Sequence, residues 1–193
     1  MKKIILIVFT AILSVGFNAS AQIQKGNVLV GSNFANLNLG LDDSKVFSID
    51  LTPKAAWFVQ DNIALGGYLN LGIQTAKNSS TTTNYGAGVL GRYYMGEDVE
   101  VLRHGRFFGE GTVGIGGINV SNNGGHTNGL ELGVGPGFAY FVTPNVGLET
   151  LLKYNGLAGF GNAGYQSRLT LSFGLQIYLP GRSTASKIRS DVR

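Results

Sequence analysis

The chain of 193 residues contains no cysteine, so it has no disulfide framework and no thiolate metal site. It is also poor in charge: Asp, Glu, Lys and Arg make up 13% of it, about half the share of a soluble domain. It has four prolines, two histidines and, after Phe17, no apolar run long enough for a membrane helix. Its basic pI does not point to nucleic acid. Lys2 and Lys3 lie at the start, and Arg182, Lys187, Arg189 and Arg193 lie in the last fourteen residues against Asp191 alone. Residues 22–179 keep nine basic and ten acidic residues, a net charge of −1.

The first 21 residues read as a secretory signal peptide. A basic "MKK" precedes the 14-residue apolar stretch Ile4 to Phe17, and Ala19-Ser20-Ala21 fits the A-x-A cleavage rule, so the mature chain is expected to start at Gln22. With no cysteine after the apolar stretch, lipoprotein anchoring is excluded. From Pro180 to Arg193 the chain is basic and poor in apolar groups, which predicts a disordered tail of net charge +3.

Between these ends, alternation with a period of two recurs, broken by polar or glycine-rich stretches. It predicts eight strands, at about 27–39, 46–59, 63–76, 84–95, 106–119, 128–142, 146–157 and 165–179. The facing of the first is ambiguous, because "NVLVGSNFANLNL" supports either parity. The breaks after strands 2 and 6 are short, "QDN" and "TPN". Those after strands 1, 3, 5 and 7 are longer and polar, and "GEDVEVLRHG" after strand 4 is long and charged. "PKAAWFVQDNIAL" (Pro53 to Leu65) matches "PGFAYFVTPNVGL" (Pro136 to Leu148) at an offset of 83, with six identities in thirteen positions. This similarity reads as duplication of a half-barrel. It places Asn62 and Asn145 where a three-residue hairpin ends in the left-handed conformation, pairing Val59 with Ile63 and Val142 with Val146.

The last strand, "RLTLSFGLQIYL", puts Leu169, Leu171, Phe173, Leu175, Ile177 and Leu179 on one parity. A soluble barrel would turn its other parity to water and fill it with Lys and Glu. Here that parity is mostly Gly, Ser, Thr, Asn and Gln, so the apolar parity faces lipid. Trp57, Tyr85, Tyr93, Tyr140, Tyr154 and Tyr165 fall on it near strand ends, where interfacial girdles sit. The fold class expected is therefore all-β: an eight-stranded antiparallel up-and-down transmembrane β-barrel over residues 22–179. It must be closed, because an open edge in lipid leaves backbone groups unpaired.

The inward parity carries Asp50, Lys54, Arg92, Glu110, Glu131, Glu149, Lys153 and Arg168. Four acids and four bases inside a lumen just wide enough for side chains read as structural ion pairs. Arg92 and Glu110 should pair across adjacent strands, joined by Glu149. The inward glycines Gly66, Gly72, Gly133, Gly135 and Gly137 leave room for lumenal water. No catalytic, cofactor-binding or metal-binding set is legible. His104 and His126 stand without ligand or triad partners at a workable spacing, and "GEGTVGIGG" is strand-like rather than a phosphate cradle.

With Ser172, Gly174, Ile177 and Leu179, the last strand also resembles the assembly signal of outer-membrane barrels, although fourteen residues follow it. Residues 22–179, about 80% of the chain, resemble the small eight-stranded OmpA/OmpX-like family. The resemblance implies export to the outer membrane of a Gram-negative bacterium. It also implies contact with outer-membrane lipid and lipopolysaccharide, and handling by the barrel-assembly machinery. It implies activity only weakly. Three roles stay open: a structural or surface-interaction barrel with a plugged lumen, a membrane enzyme acting on lipid A or peptides, and a narrow passive pore. No ligand of the surface loops is named by the sequence.

Overall fold

The computed structural model describes residues 23–39, 47–76, 80–95, 105–121, 124–160 and 164–181. The expected signal segment and most of the tail therefore lie outside the described residues, as does His104. Eight strands run β1 (Val28–Leu39), β2 (Phe47–Gln60), β3 (Ile63–Thr75), β4 (Thr82–Tyr94), β5 (Gly105–Val120), β6 (Gly124–Thr143), β7 (Val146–Gly159) and β8 (Tyr165–Leu179). Each pairs antiparallel with the next, and β8 returns to β1 to close the barrel. The end holding the β2–β3 and β6–β7 turns is called the turn end here, and the opposite end the loop end.

The outer face carries Leu65, Val89, Ile115, Val134, Leu152 and Leu169, all at least 40% exposed. A continuous apolar belt of this size does not face water on a soluble monomer. The six girdle aromatics also point outward, from 40% exposed at Tyr140 to 61% at Tyr165. Two of them link across the loop-end rim, Tyr154 to Tyr165 by their hydroxyls at 2.9 Å. Tyr85 donates its hydroxyl to Asn128 Oδ1 at 2.5 Å.

The first strand, ambiguous in sequence, keeps one parity from Leu29 to Ala35. Leu29, Asn33 and Ala35 are buried in the lumen, while Val30 and Phe34 face out. A register shift between Ala35 and Asn38 follows, with Asn36 in the left-handed region at φ 50°. A bulge inserts one residue and breaks the alternation.

Both turn-end hairpins differ from the expected three-residue loops. Gln60 pairs with Ile63 and Thr143 with Val146, and the register shifts at Val59 and at Val142. The bulge absorbs the extra residue, so Phe58 and Phe141 stay inside while Val59 and Val142 stay outside. Asn62 adopts φ 66°, whereas Asn145, which follows Pro144, is not in the positive-φ region. The repeat holds in register: Phe58 with Ala64 and Phe141 with Gly147 are the same pairing at an offset of 83. The turn carbonyls match as well, since Asn62 O accepts from Tyr94 N and Asn145 O from Tyr178 N, both at 2.8 Å.

At the loop end the β5–β6 hairpin is longer than its sequence suggests. The stretch Gly124 to Thr127, expected as loop, belongs to the 20-residue β6, and His126 pairs with Asn119. Once two strands are in register the ladder extends into water, and polar side chains there mark the solvent rather than a break.

Residues 23–27 fold across the turn end. Ile23 is buried, Asn62 N donates to Ile23 O, and Gly26 N donates to Phe58 O. Asn27 Oδ1 accepts from Gly181 N at 3.0 Å, so both ends of the barrel segment are tied together.

Candidate functional site

The lumen is built in three levels. The lowest, at the turn end, is aromatic. Four adjacent aromatic pairs enter the wall here: Trp57-Phe58, Tyr93-Tyr94, Phe107-Phe108 and Tyr140-Phe141. In each the first ring faces out and the second is buried inside, because neighbours on a strand take opposite faces. With Tyr178 from β8 the inner rings form a packed base. Tyr94–Phe108 centroids lie 5.5 Å apart, Phe58–Tyr94 5.8 Å and Phe141–Tyr178 5.0 Å. Tyr94 and Tyr178, matching residues of the two half-barrels, meet by their hydroxyls at 2.9 Å.

The middle level is ionic and centred on Glu110. Its Oε2 accepts from Arg92 Nη2 at 2.6 Å and from Lys54 Nζ at 2.8 Å, and Lys153 Nζ lies 3.8 Å from Oε1. Arg92 Nη1 donates to Glu149 Oε1 at 2.7 Å and to the Tyr94 hydroxyl at 2.9 Å. Tyr178 donates to the same Glu149 oxygen at 2.8 Å, which joins the ionic level to the aromatic base. The Arg92 guanidinium lies 4.1 Å from the Phe108 ring centre, a cation–π contact. The side chains of Lys54, Arg92, Glu110 and Glu149 are at most 1% exposed, so water does not screen them.

The upper level is an open cup of about 180 Å³ at the loop end, lined by both apolar and polar groups. Glu131 and Arg168 line it, together with amide side chains from several strands. A smaller cavity of about 40 Å³ continues below it, touching Asp50, Lys54 and Lys153.

Arg92 and Glu110 are direct register partners on β4 and β5. The structure joins five of the eight inward charges, Lys54, Arg92, Glu110, Glu149 and Lys153. It places three elsewhere: Asp50 takes a hydrogen bond from the Asn36 amide, and Glu131 and Arg168 stand in the cup. Sequence reasoning missed Arg106, an inward residue at the very start of β5 that is 9% exposed. The parity it shares with Glu110 would have found it. It also missed the aromatic base, whose signal is the doubled aromatics at the turn end.

The inward glycines serve side chains more than water. A Cβ at Gly137 would lie 2.2 Å from the Phe108 ring, and one at Gly72 would meet the Asp50 carboxylate at 1.9 Å. Bare backbone lets these larger groups lie flat against the neighbouring strand. Among the described residues no three of His, Asp and Glu gather to hold a metal ion.

No family model matches the chain, and no curated protein does. Solved structures do. Neisserial surface protein A is 20% identical with a TM-score of 0.53, covering 78% of this chain and 95% of its own. The N-terminal β-barrel domain of Pseudomonas aeruginosa OprF gives 14% and 0.51, over 80% and 98%. The fold is that of the small eight-stranded outer-membrane barrels. OprG from Pseudomonas aeruginosa, at 10% identity and a TM-score of 0.51, shares this outer-membrane barrel fold over 83% of the chain and 99% of its own. At these identities the likeness speaks for the architecture, and the lumen has to be read from its own residues.

Proposed function

We propose that the protein is a small barrel of the Gram-negative outer membrane with a structural or surface-interaction role, its lumen closed to passage. The observation that carries this reading is the floor of the lumen. Five aromatic rings and a dry network of Lys54, Arg92, Glu110 and Glu149 block it, with Ile23 packed beneath. Conduction would require moving four mutually paired charges out of a low-dielectric site, and breaking such a pair is costly. The apolar belt, the aromatic rims and the fold shared with outer-membrane barrels support the location. Short turns face the periplasm in such barrels, so the turn end is inward and the cup opens to the cell exterior. The belt then meets outer-membrane lipid, the loop-end rim meets lipopolysaccharide, and the barrel-assembly machinery inserts the chain. Purified protein in planar bilayers should show no conductance steps above the lipid background. Sustained single-channel openings would overturn the closed-lumen reading and restore the passive pore.

A further inference from the structure

Of the two inward acids outside the ionic level, Asp50 is held by the Asn36 amide, which leaves Glu131. It is 8% exposed, yet among the described residues it makes no hydrogen bond and closes no ion pair. Its carboxylate lies against the bare backbone of Gly86 and Gly116, where an added Cβ would come within 2.7 and 2.9 Å of Oε2. Two neighbouring strands thus give up side chains to present a carboxylate with no protein hydrogen-bond donor at the wall of the open cup.

The cup around it selects a chemistry. Asn70, Asn84, Asn155 and Gln166 line it with Glu131 and Arg168. Each amide both donates and accepts, as a hydroxyl does. A net anion is opposed by Glu131, and a net cation by Lys153 and Arg168, which both act electrostatically on Glu131. A neutral ligand with several hydroxyls meets no such opposition. A planar carboxylate can accept from two adjacent hydroxyls at once. Ile118 and Leu157 add an apolar wall suited to the C–H face of a sugar ring. The volume, about 180 Å³, suits one ring and not a chain.

We propose that this cup is a saccharide site that takes one neutral sugar unit, free or at the end of a glycan, with Glu131 accepting from two adjacent hydroxyls and the amides reading the others. The site goes beyond the structural role proposed above. Its test needs no particular orientation, since a micelle exposes both ends of the barrel.

The full chain, refolded in a detergent without a sugar head group, is titrated by calorimetry and saturation-transfer NMR. The probes are methyl α-glucoside, α-galactoside and α-mannoside, disaccharides ending in the same sugars, and glycine and betaine as zwitterions. At least one neutral glycoside should bind saturably, and about tenfold more weakly in Glu131→Gln, the loss of one charge-assisted contact. Asn84→Ala should also weaken it, and covers the case in which Glu131→Gln fails to fold, judged by heat-dependent gel migration. Tighter binding of a disaccharide assigns the glycan end, and equal binding assigns the free sugar. Absence of saturable binding by every neutral glycoside, binding unchanged in both variants, or binding of the zwitterions alone would overturn the proposal.

Discussion

Glu110 is the residue on which the lumen turns. It accepts from Arg92 and Lys54 together, with Lys153 close behind. A lumen filled with water would soften the loss of one partner, but these side chains are at most 1% exposed apart from Lys153. Glu110→Ala leaves Lys54 and Arg92 buried with one acid fewer between them, at a cost of about 3–5 kcal/mol. Arg92→Ala combined with Glu110→Ala should cost less than the two single changes added, with a coupling of about 0.5–3 kcal/mol. Urea unfolding in micelles of the two single variants and the double variant measures it. Strictly additive losses would mean that the pair does not act as a unit. Glu131→Gln, by contrast, breaks no hydrogen bond or close ion pair and loses only the longer-range attraction of Lys153 and Arg168, so it should move the unfolding midpoint far less than Glu110→Ala.

Among the elements, β1 and β8 form the weakest joint. Their pairing runs from Val28 with Leu179 to Ala35 with Ser172 and stops at the bulge, while β7 stays paired with β8 up to Tyr165. One edge of Tyr165 to Leu171 thus has no strand partner among the described residues. Amide exchange in micelles should be faster at Leu169 and Leu171 than at Leu175 and Ile177. Equal protection along β8 would show that the seam is sealed. At the other end of the same strand, the tail prediction narrows. A chain stopped after Gly181 keeps the bond from Gly181 N to Asn27 Oδ1 and should refold as the full chain does. Asn27→Ala removes that acceptor at a cost of about 1 kcal/mol. Failure of the truncated chain to refold would place an essential element beyond residue 181.

At the scale of the whole molecule, the two halves of the barrel share their turn-end geometry and differ in the lumen. Their shared hairpins, buried Phe58 and Phe141, and paired Tyr94 and Tyr178 survive on both sides. The charges do not. Arg92 holds Glu110 on β4 and β5, while Gln176 on β8 donates to Asn33 on β1 at 2.8 Å, an amide pair in place of an ion pair. The molecule is also polar along its axis, with a closed aromatic base at one end and an open cup at the other. Cysteines introduced at Asp61, Pro144, Ser80 and Gly124 report which end is outside. On intact cells an impermeant maleimide should label positions 80 and 124 and spare 61 and 144. Labelling at 61 would invert the proposed orientation.

The sequence by itself determined the wall of this protein. Alternation fixes which side chains face outward, and because strand parity is strictly twofold it also assigns every inward charge to the lumen. Consecutive strands run antiparallel, so the residues flanking the long β4–β5 connection at similar distances, Arg92 and Glu110, fall opposite one another. Alternation fails on β1, where a bulge at Asn36 breaks the period, and at Gly124 to Thr127, where polarity marks water and not a loop. Only the tertiary structure decided the partners across the lumen. Lys54 reaches Glu110 from three strands away, and Tyr178 reaches Tyr94 through the middle of the barrel. Those contacts depend on closure, which brings together residues that no register relates. Closure also separates Glu131 from the ionic level that its parity alone would have assigned it to.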